Sequence, residues 1–323
     1  MARTGMGWTM EGEMAPLPQQ GLGGDGPRVM RIGLGCMGLS GTWKPDEVGP
    51  EHRRRAIAAF EAALESGITL YDHADIYGRG SCEAVFKHCL AAVPGVRERI
   101  VIASKCGIDI ERNLYDLSAA NVTACLERSL ARMGIEYLDL YQMHRPDPFT
   151  HPAETAGALN DLLRRGLIRA VGVSNYFPEQ LRALQRYLDS PIRVNQIEIS
   201  LTRLQPLYEG IDGGDGSLDQ CMALRITPLA WSPLGKGLLA GVSAADGPHA
   251  PLLAELDAQA EAQGCTRGQL ALAWLLAHPA GIIPLVGSND PAHIREAAAA
   301  ARLVLGREAV YRLWVAARGE ALP

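Results

Sequence analysis

The chain has 323 residues, 47% hydrophobic and 21% charged, with a formal net charge of −5. That balance supports a sizeable folded core and excludes a disordered chain, and the scattered Lys and Arg leave no footprint for nucleic acid or an anionic membrane. Seven cysteines, an odd number without paired metal-ligand spacing, read as reduced thiols in a chain too large to need disulfide staples.

Residues 1–28, rich in Gly, Pro and polar side chains, are expected to form an irregular leader without the apolar run of a signal peptide. From 29 to 323 a single domain is expected, because short runs of Val, Ile and Leu alternate with segments of helical period. Strands are predicted at 30–36, 68–72, 100–104, 137–142, 168–172, 194–197, 227–230 and 282–286. Helices are predicted at 52–66, 82–92, 118–133, 153–165, 178–188, 217–224, 252–278 and 291–302. About eight βα units predict a (β/α)8 TIM barrel, a fold that routinely exceeds 200 residues in one domain.

A doubly wound open sheet is the competing architecture. It calls for a glycine-rich fingerprint running from the first strand straight into a helix. Gly33, Gly35 and Gly38 meet the spacing, but the following GTWKPDEVGP is a proline-bearing loop, so close packing at a strand end is the preferred reading of Gly33 and Gly35. No stretch approaches the roughly 18 uninterrupted apolar residues of a membrane span. A cytoplasmic location without a membrane partner is the default expectation.

In a barrel, chemistry collects at the C-terminal ends of the strands. The second predicted strand ends at Asp72 in GITLYDHADIYG, with Tyr77 on the loop beyond it. The third runs out at Lys105 in IVIASKCGI, and the fourth at His144 in YLDLYQMHRPDP. Each has an ordinary reading by itself: an ion pair, a core aromatic, a loop histidine. Together on one rim they point to a site. His73 and Asp75 fit no metal pattern with a third ligand and read as packing residues; Cys106 has no base placed to make it a nucleophile.

At these residues the chain resembles an aldo-keto reductase, over roughly residues 30–305 and with closest likeness to a bacterial subfamily of broad-specificity reductases. ESGITLYDHADIYG is similar to the family signature Gly-(Ile/Val)-x-x-x-Asp-x-Ala-x-x-Tyr-Gly, while SKCG and LDLYQMHRPD resemble the segments around its Lys and His. The resemblance implies Asp72, Tyr77, Lys105 and His144 as the catalytic set, hydride transfer between NADPH, or NADH, and a small-molecule carbonyl, and no metal. GLIRAVGVSNY and VNQIEIS imply Ser174, Asn175 and Gln196 around the nicotinamide carboxamide. ITPLAWSPLGKGLLAG implies Trp231 for stacking on the ring and Ser232, Leu234 and Lys236 for the pyrophosphate. IIPLVGSNDPAHIREA adds Gly287 and Ser288, with His293 where NADPH-preferring members often carry Arg, and Arg295 two residues on.

The implied chemistry is coherent. Hydride addition puts negative charge on the carbonyl oxygen, so a proton donor must be ready there. Tyr77 is the expected donor, Lys105 is expected to lower its pKa, Asp72 to keep Lys105 charged, and His144, neutral, to orient the substrate. A guanidinium clamps a phosphate in a way that imidazole cannot, so His293 leaves the choice between NADPH and NADH open. A non-catalytic nucleotide-sensing subunit and a narrow tailoring enzyme are the remaining alternatives. The residues assign no substrate, no oligomeric state and no role to the loop 207–219.

Overall fold

The computed structural model of the chain describes residues 17–207, 214–241 and 247–322. Residues 1–16 of the expected leader and 208–213 of the loop 207–219 lie outside them. Eight parallel strands close into a barrel, each paired with its neighbours in chain order. They are β1 (Gly33–Gly35), β2 (Leu70–Asp72), β3 (Val101–Cys106), β4 (Leu140–Met143), β5 (Val171–Ser174), β6 (Ile192–Glu198), β7 (Thr227–Trp231) and β8 (Ile283–Val286).

Helices α1 (Pro50–Glu65), α2 (Ser81–Ala92), α3 (Ala119–Met133), α4 (Pro152–Arg164), α5 (Pro178–Gln185) and α6 (Ser217–Leu224) follow the first six strands. Both α7 (Ala250–Gln263) and α8 (Arg267–Leu276) follow β7; α9 (Pro291–Ala299) and α10 (Arg307–Arg318) follow β8. Local chemistry starts several of them. Asp290 Oδ1 accepts from Ala292 N at 2.7 Å with Pro291 in the first helical position, and Ser118 Oγ accepts from Asn121 N. Among the described residues, no helix is long and apolar enough to cross a membrane.

Strand parity sorts the side chains, because alternate residues point to opposite faces. Leu70, Val101, Ala103, Leu140, Val194, Leu229, Ile283 and Leu285 form one cluster inside the barrel. Tyr71, Ile102, Tyr141, Val171 and Val173 belong to the larger cluster between sheet and helices. The inward parity that starts at Leu70, Ala103, Leu140 and Val194 continues upward to Asp72, Lys105, Gln142 and Gln196. An apolar floor therefore carries a polar layer. A Cβ on Gly172 would stand 2.9 Å from Gln142 Cγ and 3.1 Å from Leu140 Cδ1, so a bare backbone there makes room for that layer.

Three expectations need correction. The leader is not irregular to residue 28: Gln19–Gly21 and Arg28–Met30 pair as an antiparallel hairpin, and the predicted strand 30–36 shortens to Gly33–Gly35. Gly23 and Gly24, both at positive φ, shape its turn, Leu22 and Val29 join the barrel floor, and Gly23 N donates to Thr227 Oγ1 at 2.9 Å. The glycines that suggested an irregular leader serve a turn that closes the N-terminal end of the barrel. Second, the helix predicted over 252–278 is two. Gly264 ends α7 at φ 64°, and Thr266 opens α8 in a reciprocal capping box with Gln269. Third, α10 was not among the predicted helices. It packs on α7 with Leu313 buried.

Candidate active site

Backbone pairing continues past the strand ends and positions the first loop residues. Cys36 N donates to Asp72 O, His73 N to Ala103 O, Asp75 N to Lys105 O and His144 N to Cys106 O, at 2.8–3.0 Å. The turn after β2 then needs glycine. Gly78 has φ 55°, and a Cβ there would meet Ser81 Oγ at 2.3 Å and Ser40 Oγ at 2.8 Å. That turn delivers Tyr77 to the mouth, where it is half-buried.

Lys105 is fully buried and donates three hydrogen bonds from Nζ: to Asp72 Oδ2 at 2.7 Å, to His73 O at 2.8 Å and to Tyr77 Oη at 3.2 Å. The other Asp72 oxygen accepts from Gln142 Nε2 at 3.1 Å and Gln196 Nε2 at 2.9 Å. An ion pair this deep holds only when its remaining valences are met, and here they are. His144, 9% exposed, faces Tyr77 edge-on, with ring centroids 6.0 Å apart. The four residues expected from three segments thus meet at one point.

The electrostatics follow from burial and charge. Burial pushes the Lys105 ammonium down, but Asp72 and Tyr77 outweigh it and hold the group above its ordinary value, protonated. Burial raises the Tyr77 phenol, with Lys105 pulling against it. The expected net lowering of Tyr77 is therefore absent, and the phenol is kept neutral. His144 lies well below its usual range through burial, then Lys105 and Arg145, and so is neutral. Its Nδ1 is buried and has no partner among the described residues.

Behind β3 lies a second buried group. Asp75 is 9% exposed, and burial, aided by Cys125 and Glu83 against Arg132, raises its carboxyl to about 9. His73 is driven down to about 3 by burial and then Lys105, and its ring packs on Phe86.

The expected cofactor residues occupy the rest of the rim. Ser174 Oγ donates to Gln196 O at 3.0 Å, Asn175 Nδ2 to Ser174 Oγ at 2.7 Å, and Trp231 Nε1 to Asn175 Oδ1 at 3.0 Å. The network ties β5, β6 and β7 together and holds Asn175 at φ 60°. Gln196 donates from Nε2 to Asp72 Oδ1 at 2.9 Å and to Gln142 Oε1 at 3.5 Å. Beyond β7, Ser232 and then Gly235, Lys236 and Gly237 take positive φ around Leu234, bending the loop at the mouth. Ser288 Oγ accepts from Asp290 N, and a Cβ on Gly287 would touch nothing within 4 Å.

His293 is exposed on the first turn of α9. Arg295 is engaged elsewhere: its guanidinium pairs with Glu65, the last residue of α1, at 2.8 Å. Two residues at the mouth were not foreseen. Gln142 was legible in principle, having the inward parity of Leu140. Arg145 carried no sequence signal beyond its place after His144.

A family model described as the aldo/keto reductase family matches residues 31–314. A 6-dehydroglucose reductase of Novosphingobium aromaticivorans is 43% identical over 291 residues, 88% of this chain and 92% of that protein. Another, from Agrobacterium fabrum, is 36% identical over 288 residues, covering 87% and 93%. Among solved structures, an aldo-keto reductase of Klebsiella pneumoniae in complex with NADPH aligns with a TM-score of 0.74 at 26% identity, covering 93% of this chain and 94% of that one.

Proposed function

The chain belongs to the aldo/keto reductase family, which makes it an oxidoreductase, and from that premise we propose that it reduces a sugar-derived carbonyl, such as 6-dehydroglucose, with NADPH. The observation that carries the reading is the Lys105 ammonium held at once by Asp72 and against Tyr77 Oη, with the His144 ring beside the phenol. The substrate class rests on the two 6-dehydroglucose reductases that resemble this chain over most of its length.

The donor set fits a nicotinamide dinucleotide. Ser174, Asn175 and Gln196 converge on one edge, the Trp231 indole offers a flat, half-exposed face, and the N-terminus of α9 with its exposed His293 suits a phosphate. When bound, the nicotinamide supplies the hydride. Tyr77 Oη donates its proton to the substrate oxygen as charge develops there, and the phenolate left behind is stabilised by Lys105 at 3.2 Å. Asp72 keeps Lys105 charged and fixed. Neutral His144 donates a ring N–H to the same substrate oxygen.

The test follows nicotinamide absorbance with 6-dehydroglucose and simple aldehydes, for the parent and for Tyr77→Phe. The variant keeps the ring and loses the proton. Turnover should fall by about 10²–10⁴-fold with cofactor affinity nearly unchanged. A Tyr77→Phe enzyme with half the parental turnover would remove Tyr77 as the acid.

A further inference from the structure

Glu198, the register partner of Trp231, lies 3.8 Å from Arg203, and two further carboxylates near the rim are engaged by hydrogen bonds. Asp72 accepts from Lys105, Gln142 and Gln196. Asp147, two residues beyond Arg145, accepts from Leu117 N, Phe149 N and Thr150 Oγ1. Neither touches Arg145. The Arg145 guanidinium has no carboxylate partner among the described residues; its recorded contact is with the Trp231 ring, 5.8 Å from Cζ to the centroid. It is half-buried, and it follows directly on His144.

Position and chemistry combine here. Arg145 leaves the end of β4 and reaches the residue that ends β7, so its guanidinium stands on the catalytic rim between His144 and Trp231. A guanidinium is a rigid fork of N–H donors that suits paired acceptor oxygens. Leaning on an indole holds it in place without consuming those donors.

Resting on the reductase reading above, we propose that Arg145 is a specificity-determining residue, which donates hydrogen bonds to acceptor oxygens on the substrate chain beyond the reacting carbonyl. Those oxygens are the hydroxyls of a sugar-like substrate or the carboxylate of an aldehyde acid. Both present lone pairs to the same fork, and unsubstituted aliphatic aldehydes present none.

The experiment compares kcat/KM for butanal, D-glyceraldehyde and succinic semialdehyde at saturating NADPH, in the parent, Arg145→Met and Arg145→Lys. NADPH dissociation constants are measured alongside. The parent should prefer an oxygen-bearing substrate over butanal, and Arg145→Met should lower that preference about 10- to 100-fold, the range for hydrogen bonds to a charged group. Loss confined to glyceraldehyde identifies hydroxyls as the acceptors; loss confined to succinic semialdehyde identifies a carboxylate. Arg145→Lys, which keeps the charge but not the fork, should recover the preference only in part. An equal loss on all three aldehydes, a weakened NADPH dissociation constant with the preference intact, or a parent without preference overturns the proposal. A parent that reduces none of these, nor 6-dehydroglucose, overturns the reductase reading, and this inference with it.

Discussion

The two halves of the rim are built differently. At β2–β4, Asp72, Lys105, Gln142 and His144 are each 9% exposed or less and, His144 aside, interlocked by hydrogen bonds that leave no member replaceable alone. At β8 and α9, Gly287 and His293 are exposed, and the one ion pair, Arg295 with Glu65, has both side chains more than half exposed. Burial multiplies the value of each interaction in the first half and screening divides it in the second. The buried half is held rigidly, while the exposed half, where we propose the cofactor's far end is recognised, consists of side chains that change at little cost to the fold.

The sharpest way to break this contrast is Lys105→Met. Removing one partner of a buried pair costs roughly 3–5 kcal/mol of stability, because Asp72 is left charged and unpaired. Turnover should also fall by about 10²–10⁴-fold with the loss of the cation beside Tyr77. Thermal unfolding and single-turnover rates together check both. Parental turnover in a folded variant would take the buried network out of the chemistry.

The next effect is a pH dependence carried by the buried half. Asp75 has a folded value of about 9 against an ordinary 3.8, so its stabilisation is full below about pH 3.8 and is lost as pH rises to 9. His73 works in the opposite sense. Its folded value of about 3 lies under the ordinary 6.5, so its contribution is present above pH 6.5 and lost as pH falls toward 3. The two oppose each other in mild acid, and from about pH 6 to 9 Asp75 is opposed by the Cys125 thiol, which interacts with it and is lowered from 9.0 to about 6. Between pH 6.5 and 9 Asp75 by itself contributes a decline of up to about 1.4 kcal/mol per pH unit, which the Cys125 contribution offsets. Asp75→Asn should therefore make stability rise more steeply with pH over that range than in the parent in denaturant titrations, and an unchanged slope would mean that Asp75 is ionised in the folded protein.

The smallest effects belong to the exposed half. His293→Arg should tighten NADPH over NADH by about 1–2 kcal/mol, as a charge-assisted hydrogen bond at the start of α9 would. Arg295→Ala should change that selectivity by less than about 1 kcal/mol, because its guanidinium is committed to Glu65 in a surface pair. Dissociation constants for both cofactors at fixed salt separate the two. A large loss with Arg295→Ala and none of the gain with His293→Arg would reverse their roles.

Much of this was legible before any fold was known. Runs of Val, Ile and Leu separated by helical segments dictate the barrel, and the last inward residue of each run names Asp72, Lys105 and, one step beyond β4, His144. Even the split between α7 and α8 is written locally, in Gly264 and the Thr266–Gln269 capping pair. Such signals are short-range: backbone dihedrals, parity and caps depend on residues a few positions apart.

What only the tertiary structure decided lies between residues far apart in the chain. Gln142 and Gln196 close on Asp72 from 70 and 124 positions away, and Arg295 finds Glu65 across 230. The leader's hairpin becomes the barrel floor because Leu22 and Val29 meet strands that follow them. Tyr77 ends above its ordinary value because burial, a property of the closed barrel, outweighs the neighbouring ammonium. Parity says which way a side chain points; only closure of the sheet says what it meets there, and how much water is left around it.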